Sequence, residues 1–498
     1  MSDANRTQVA IVEEATFGVI PATPRFELMR VTGESLSYTP KTVTSDELRA
    51  DRQVVDLIRV GFETAGDLPI EMSYGMPDRL MEGAACSDWV QTPTRDNDGT
   101  AASNITSVAI SGVFNYVAPV AGNEFKTGVF AVGQLVRTTG FNTAANNGIG
   151  RVTATTATQI TVNGITTAAE ASPAAAARIK VVGIEAPSAT NIAATVTGLA
   201  VGSNGAITGT GVDFTTCGLV AGMWFKASGF TIDPDNNGWY RALSVAATRI
   251  ECDIVPTGFG ADAATGVQVR LWVGDYIRNG TTKKSYTAEI QYQDLTVPEF
   301  EYYRGMRVAN HTVSGESQAI VKGGFSLMGA SVDNYTTRNN GTAVGTDRAA
   351  PTNDVMNTSD NVGALFENAV AVAAPNSVLM ASLTIDNTLR RRNAWGSAYS
   401  IDIGLGRCMV TGTLKFYYGS NAILNRIRAG TASSYMMRFT DPTGTKALLY
   451  DVPRIKFSSG VPVVSGVDTD RTMDANFQGL RHPTLGYTIH VQRFEEYV

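Results

Sequence analysis

Polar and apolar residues alternate along most of this chain. The period is the two-residue repeat of a strand half-buried in a sheet, not the 3.6 of a helix. Ser285 to Leu295 (SYTAEIQYQDL), Met306 to Val313, Gln318 to Met328, Val378 to Leu389 and Met409 to Tyr418 all follow it between Gly, Asn or Pro residues, and each predicts a strand. Tyr435 to Thr440 and Lys446 to Val452, joined by Asp-Pro-Thr-Gly, predict a hairpin in which Pro442 sets φ and Gly444 takes the positive-φ position. Two short helices interrupt the pattern. Pro77 suits a first helical position ahead of an apolar face of Leu80, Met81, Ala84 and Ala85. Ser420 reads as the N-cap of a helix over Asn421 to Ala429, with Ile423, Leu424 and Ile427 on one side and Gly430 as its C′ residue. The expected class is mainly β (α+β), an antiparallel sandwich or barrel with one or two short helices.

Two stretches carry no such period. Tyr38 to Pro69 is charged and broken, with Asp46, Glu47, Asp51, Asp56, Glu63 and Asp67 beside Arg49, Arg52 and Arg59. Asn334 to Pro375 has little pattern before Val362. Loops of this length are uncommon unless they are functional or ordered by a partner, and the plain alternative is a solvated flap.

The middle of the chain is a duplication. Phe125 to Phe141 (FKTGVFAVGQLVRTTGF) matches Phe214 to Phe230 (FTTCGLVAGMWFKASGF), each followed by an Asn-Asn-Gly turn at Asn146 to Gly148 and Asn236 to Gly238. Arg151 and Arg241, then Ile160 and Ile250, repeat at the same spacing. Strands are expected near Gln134 to Thr138, Gly150 to Thr155 and Gln159 to Val162 and at their counterparts, giving two inserted small all-β modules. The expected division is residues 1–95 and 276–498 as two parts of one domain, with modules at 96–184 and 185–275.

Charge supports that division. The 498 residues hold 40 basic and 46 acidic side chains, which gives no case for a basic nucleic-acid surface. Gly99 to Asp275 contains 10 acidic and 9 basic residues in 177 positions, leaving 36 and 31 in the other 321, nearly twice the density. The start, Met1 to Val9, lacks a signal-peptide pattern, and no apolar run approaches the roughly 18 residues of a membrane span. A soluble protein made in the cytoplasm, without membrane insertion, is expected.

Reactive chemistry is sparse. Cys86, Cys217, Cys252 and Cys408 have no zinc spacing; Cys217 and Cys252 read as buried thiols, with a disulfide as the alternative. Asp233, Asp235, Asn237 and Gly238 fit positions 1, 3, 5 and 6 of a calcium loop, but position 12 is Ser244, so an Asx/Gly turn is the better reading. His311, His482 and His490 lie in separate segments, and neither a nucleophile elbow nor a phosphate loop is present. No enzyme activity and no cofactor are expected. Arg390-Arg391-Arg392 reads either as a solvated turn or as a subunit contact.

With the middle set aside, the arms resemble the tail tube (major tail) proteins of long-tailed, non-contractile bacteriophages of the siphovirus type. The resemblance rests on ETAGDLPIEMSYGMPDRLMEGA within Gly33 to Trp89, on KSYTAEIQYQDL, and on YRGMRVANHTVSGESQAIVKGGFSLMG. In the C-terminal arm it rests on TIDNTLRRRNAWGS, GLGRCMVTGTLKFYYGS, FTDPTGTKALLYDVPRIKF and HPTLGY. The duplicated middle departs from the family pattern.

The resemblance implies a structural virion protein that self-assembles into homohexameric rings stacked as a tail tube for genome ejection. It also implies partners: a tape-measure protein, tail terminator and distal tail proteins, and phage DNA passing through the lumen without specific binding. Assembly would take place in the host cytoplasm. The modules would then sit on the tube exterior, where they bind host surface glycans or only decorate it, decoration being preferred. Inter-subunit or inter-ring contacts are expected at Asp46, Glu47, Arg49, Asp51, Arg52 and Arg59 in the first irregular stretch, and at Arg390, Arg391 and Arg392; Asn334 to Pro375 is a second candidate region. The competing reading is a receptor-binding or adhesin-like β-module protein of a phage tail or baseplate. A chain with Gly99 to Asp275 replaced by a short linker is expected to fold and assemble.

Overall fold

A computed structural model describes residues 6–76, 78–97, 104–116, 129–189, 191–367, 370–371, 377–464 and 466–498. Pro77 and Phe125, named above, lie outside these residues. The chain is mainly β, built from antiparallel sheets with two α-helices and no closed barrel among the described residues.

Both arms contribute to one large sheet. Thr7–Glu13 pairs with Tyr286–Tyr292, which pairs in turn with the first half of the long strand Glu299–Glu316. The second half of that strand lies between Lys322–Gly329 and Val378–Asp386. Gly305 makes the corner between the halves. Its φ is 66°, and a Cβ there would sit 2.9 Å from the Phe17 ring and 3.0 Å from the Ala330 side chain. From Val378–Asp386 the sheet continues through Met409–Tyr417, Thr472–Gly479, Ala447–Ser459 and Ser433–Thr440. The alternation is clean in Thr472–Gly479, where Met473, Ala475 and Phe477 are buried between exposed residues.

Helix Asp78–Ala85 buries Leu80, Met81, Ala84 and Ala85, the face expected from sequence. Gly83 permits its close approach, since a Cβ would lie 2.7 Å from Val308 and 2.8 Å from the Tyr286 ring. Helix Ala422–Ala429 begins one residue later than expected. Its N-cap is Asn421, not Ser420, and Gly430 closes it at φ 61° with its N–H donating to Arg426 and Ile427 carbonyls.

The two irregular stretches turn out differently from each other. Most of Tyr38 to Pro69 belongs to a β-hairpin, Ser37–Thr44 against Leu57–Glu71. Its period is invisible in the sequence because Ser37 to Thr44 and Leu57 to Val60 are exposed on both faces, so nothing selects apolar residues at alternate positions. Asn334 to Pro375 is not a solvated flap over its described part. Arg338 binds Glu289 at 2.7 Å and Asp347 at 3.0 Å, Met356 is buried with backbone bonds to Met72 and Val321, and Val362–Glu367 pairs with Ser433–Thr440. Its order comes from contacts with residues distant in sequence, which leave no local hydrophobic period.

Among the described residues the duplicated segments contribute twelve strands to a second sheet of 13, the other being Thr94–Asp96, which pairs with Arg178–Glu185. Within each copy the spatial order is first, second, fifth, fourth, third, sixth strand, and the two copies meet through their sixth strands, Arg178–Glu185 and Arg270–Trp272. That pairing is antiparallel, with Gly183 opposite Trp272 and Glu185 opposite Arg270, as a two-fold axis requires. The copies share one core, which runs from Ile105 to Val273. The duplication is an internal pseudo-dimer in which each copy covers the other's open edge.

Two buried imidazoles make acid stability predictable. His311 stacks 4.4 Å from Phe325 and bonds Gly324 O and the Tyr450 hydroxyl, while His490 receives Arg278 Nε at 3.1 Å and contacts Gln492 at 3.0 Å. Burial lowers their pKa values from 6.5 to about 4 and about 3, with the Arg278 charge adding to the shift at His490. A depressed histidine stabilises the fold fully above its unfolded pKa and loses that contribution as pH falls toward the folded value. Stability should therefore drop between pH 6.5 and 4 by up to about 1.4 kcal/mol per pH unit for each ring. His490→Gln and His311→Gln should each flatten the pH dependence of the denaturation midpoint; an unchanged slope would contradict buried neutral rings.

Candidate assembly surfaces

The long hairpin is a two-stranded ribbon with apolar side chains in the open. Tyr38, Val43, Leu57, Ile58 and Val60 are exposed on its strands, and Leu48, Val54 and Val55 at its tip. Isolated ribbons are marginally stable in water, and an exposed apolar edge strand invites pairing with another chain. The tip is nevertheless shaped: Ser45 N donates to Asp56 O, the Asp56 carboxylate takes Leu57 N at 2.7 Å, and Arg49 pairs with Asp51 at 2.7 Å. The Arg49 charge holds the Asp51 carboxyl below its ordinary range. Asp46, Glu47 and Arg52 are exposed beside them, and Arg59 lies 4.5 Å over the Phe62 ring.

The arginine run forms a small second hairpin, Arg390–Arg392 against Asp402–Gly404, that braces the base of the ribbon. Arg391 is spent within the chain: Nη1 donates to Gly329 O at 2.6 Å, Nη2 donates to Thr64 O at 2.5 Å, and Glu63 lies 3.8 Å away. Arg392 pairs with Asp402 at 3.0 Å, and Arg390 donates to Leu405 O. Above them Phe62 N donates to Ala398 O, and the Phe62 and Tyr399 rings stack at 5.4 Å. The arginine hairpin thus reaches the base of the ribbon, where of the ribbon's candidate residues only Arg59 lies close by, against Phe62, and Arg391 acts as a clamp that offers little to a partner. Sequence reasoning missed Trp395, whose side chain is 105% exposed at the hairpin turn. A tryptophan alone between Asn393-Ala394 and Gly396-Ser397 was the available signal.

A second surface is already occupied. The duplicated sheet is seated on the arms through Leu135, Val182, Trp224, Ile254 and Trp272, packed against Met436, Ala447, Leu449, Phe494 and Tyr497. Trp239 meets Phe494 edge-on at 4.8 Å. Gln492 binds both the N–H and the carbonyl of Trp224. Ion pairs frame the seam: Arg241 with Asp253 at 2.8 Å and Asp451 at 3.3 Å, Lys180 with Asp275 at 2.5 Å, Arg178 with Glu495 and Arg137 with Glu496. Burial pushes the Asp451 carboxyl up, and the adjacent Arg241 charge pulls it back.

The calcium-loop spacing dissolves in three dimensions. Asn237 uses its amide on the Phe230 backbone, as Asn147 does on Phe141 in the other copy. Buried Asn236 ties Gly260 in place, and its equivalent Asn146 donates to Glu170. In both Asn-Asn-Gly turns the asparagine amides are therefore committed to tying neighbouring segments together. Cys217 and Cys252 are free buried thiols, the first with its pKa pushed up to about 11 by burial. Among the described residues no His, Cys, Asp and Glu side chains gather as metal ligands, and no helix is long and apolar enough to cross a membrane.

A family model described as phage tail tube protein matches residues 4–238 and 241–479 of the chain. The break between the two stretches falls within strand Gly238–Ala246, inside a continuous sheet. No curated protein matches the chain.

Proposed function

The chain belongs to the phage tail tube protein family, and from that premise we propose that it forms hexameric rings that stack into the tail tube of a siphovirus-type phage, a conduit for the genome. Membership makes it a structural component of the virion tail and implies a non-enzymatic role. The observation that carries the finer reading is the ribbon Ser37–Thr44/Leu57–Glu71. A soluble monomer gains nothing from holding apolar side chains on both faces of a free-standing hairpin, whereas a polymer buries them between copies.

Charge fits the same reading. Six copies carry a formal 6 × −6 = −36, and a lumen without basic excess lets a polyanion slide where a basic wall would hold it. The duplicated sheet belongs on the exterior, because 177 residues per copy would obstruct a channel. Its seam with the arms fixes it as a rigid projection. Tape-measure, terminator and distal tail proteins are the partners expected of such a tube; exterior decoration remains the preferred use of the sheet, with glycan binding as the alternative. Sedimentation over a concentration series tests the proposal. Growth from subunits to very large particles above a threshold concentration supports it, and a monomer at every concentration refutes it.

A further inference from the structure

We infer that the ribbon tip of one copy docks on the Arg390/Trp395 hairpin of a neighbouring copy, head to tail, and that this contact propagates the tube. The inference rests on the tube reading above and specifies its contact. The tip, Asp46 to Asp56, holds four carboxylates against two guanidinium groups, a net −2. Asp51 is paired with Arg49 and Asp56 caps the following strand, so Asp46 and Glu47 are the carboxylates facing outward, next to Leu48 at 103% exposure and Val54.

The receiving hairpin has the opposite character. Arg390 and Arg392 are exposed, and between them and Tyr399 stands Trp395. The turn that presents Trp395 is held by Ser400 Oγ to Asn393 Oδ1 at 2.9 Å, Ser397 N to Ala394 O and Ser397 Oγ to Tyr399 O. A rigid, fully exposed tryptophan flanked by arginines has the composition of an interface anchor. An acidic tip with exposed leucine and valine supplies both the charge and the apolar surface it needs.

These complementary surfaces cannot meet within one chain. The receiving hairpin grips the base of its own ribbon at Phe62, and the tip begins six residues further along the chain, roughly 20 Å at about 3.3 Å per residue. Two complementary patches at opposite ends of one rigid element make a heterologous contact. Repeated, such a contact either closes into a ring or runs on without end, and between stacked rings it is the open-ended case.

Charge exchange tests the inference. Glu47→Arg and Arg390→Glu should each raise the threshold concentration for polymerisation about tenfold or more, and the double variant should return it to within about threefold of native. Trp395→Ala should raise it about 30-fold while the unfolding midpoint of the unpolymerised subunit stays unchanged. Native-like polymerisation of Trp395→Ala, or losses that add in the double variant, would overturn the docking. A tip-truncated chain separates the two levels: if it fails to polymerise while the exchange shows no rescue, the tube contact stands and only its receiver is wrong. If it polymerises normally, the tube reading of the ribbon fails as well.

Discussion

Replacing Asp46 to Val55 by a short turn is expected to leave a folded subunit that no longer polymerises. The replaced residues are all exposed and belong to no part of the hydrophobic cores, so their removal costs the native state little. Surface changes of this kind usually move stability by no more than about 0.5 kcal/mol. The same residues supply the exposed leucine, valines and unpaired-facing carboxylates that a neighbouring copy would cover. Unfolding of the variant should superimpose on that of unpolymerised native protein, while pelletable polymer disappears at concentrations where the native protein is fully assembled. Normal polymer yield from the shortened chain would show that the ribbon tip is not a contact.

Arg241→Ala should be the most damaging single substitution at the seam, costing about 3–5 kcal/mol, because it leaves a buried carboxylate without its partner. Asp451 is 0% exposed on the arm side, and Arg241 on the duplicated sheet is its cation. Solvent cannot replace that guanidinium without opening the seam at Trp224 and Leu449. Pairing Arg241→Met with Asp451→Leu should recover the part of the loss that comes from Asp451, since those two charges then leave together, while the partly buried Asp253 still lacks its cation. Denaturant unfolding of the two variants measures this directly. A loss below about 1 kcal/mol for Arg241→Ala would mean that the seam is wet and the sheet loosely attached.

Much of the arm fold was legible because its strands are half-buried. In Met409–Tyr417 the buried Val410, Leu414 and Phe416 share one face of the strand, and Leu80, Met81, Ala84 and Ala85 mark one face of a helix. Three features were not. The ribbon had no period because it has no buried face. The described part of Asn334 to Pro375 is ordered by Arg338, Met356 and backbone bridges, contacts between residues far apart in sequence. The duplication was plain in Phe214, Phe230 and the Asn-Asn-Gly turns, yet nothing local indicated that the two sixth strands pair with each other or that Trp224 and Trp272 pack on Leu449 and Phe494.

That last point alters the expected behaviour of a shortened chain. Removing Gly99 to Asp275 takes away Asp275, which pairs with Arg493 of the terminal strand, and bares Met436, Leu449, Phe494 and Tyr497. An excision that keeps Asp275 and makes those four positions polar is the version consistent with the packing. For the candidate contacts, residue type pointed to the right regions but not to the roles. Arg391 clamps the ribbon base, and the exposed group beside it is Trp395.

Electron microscopy of the purified full-length protein tests the central claim most directly. Hollow tubes of stacked rings bearing regular lateral projections are the predicted result. Dispersed single subunits under all concentrations and salt conditions would contradict it.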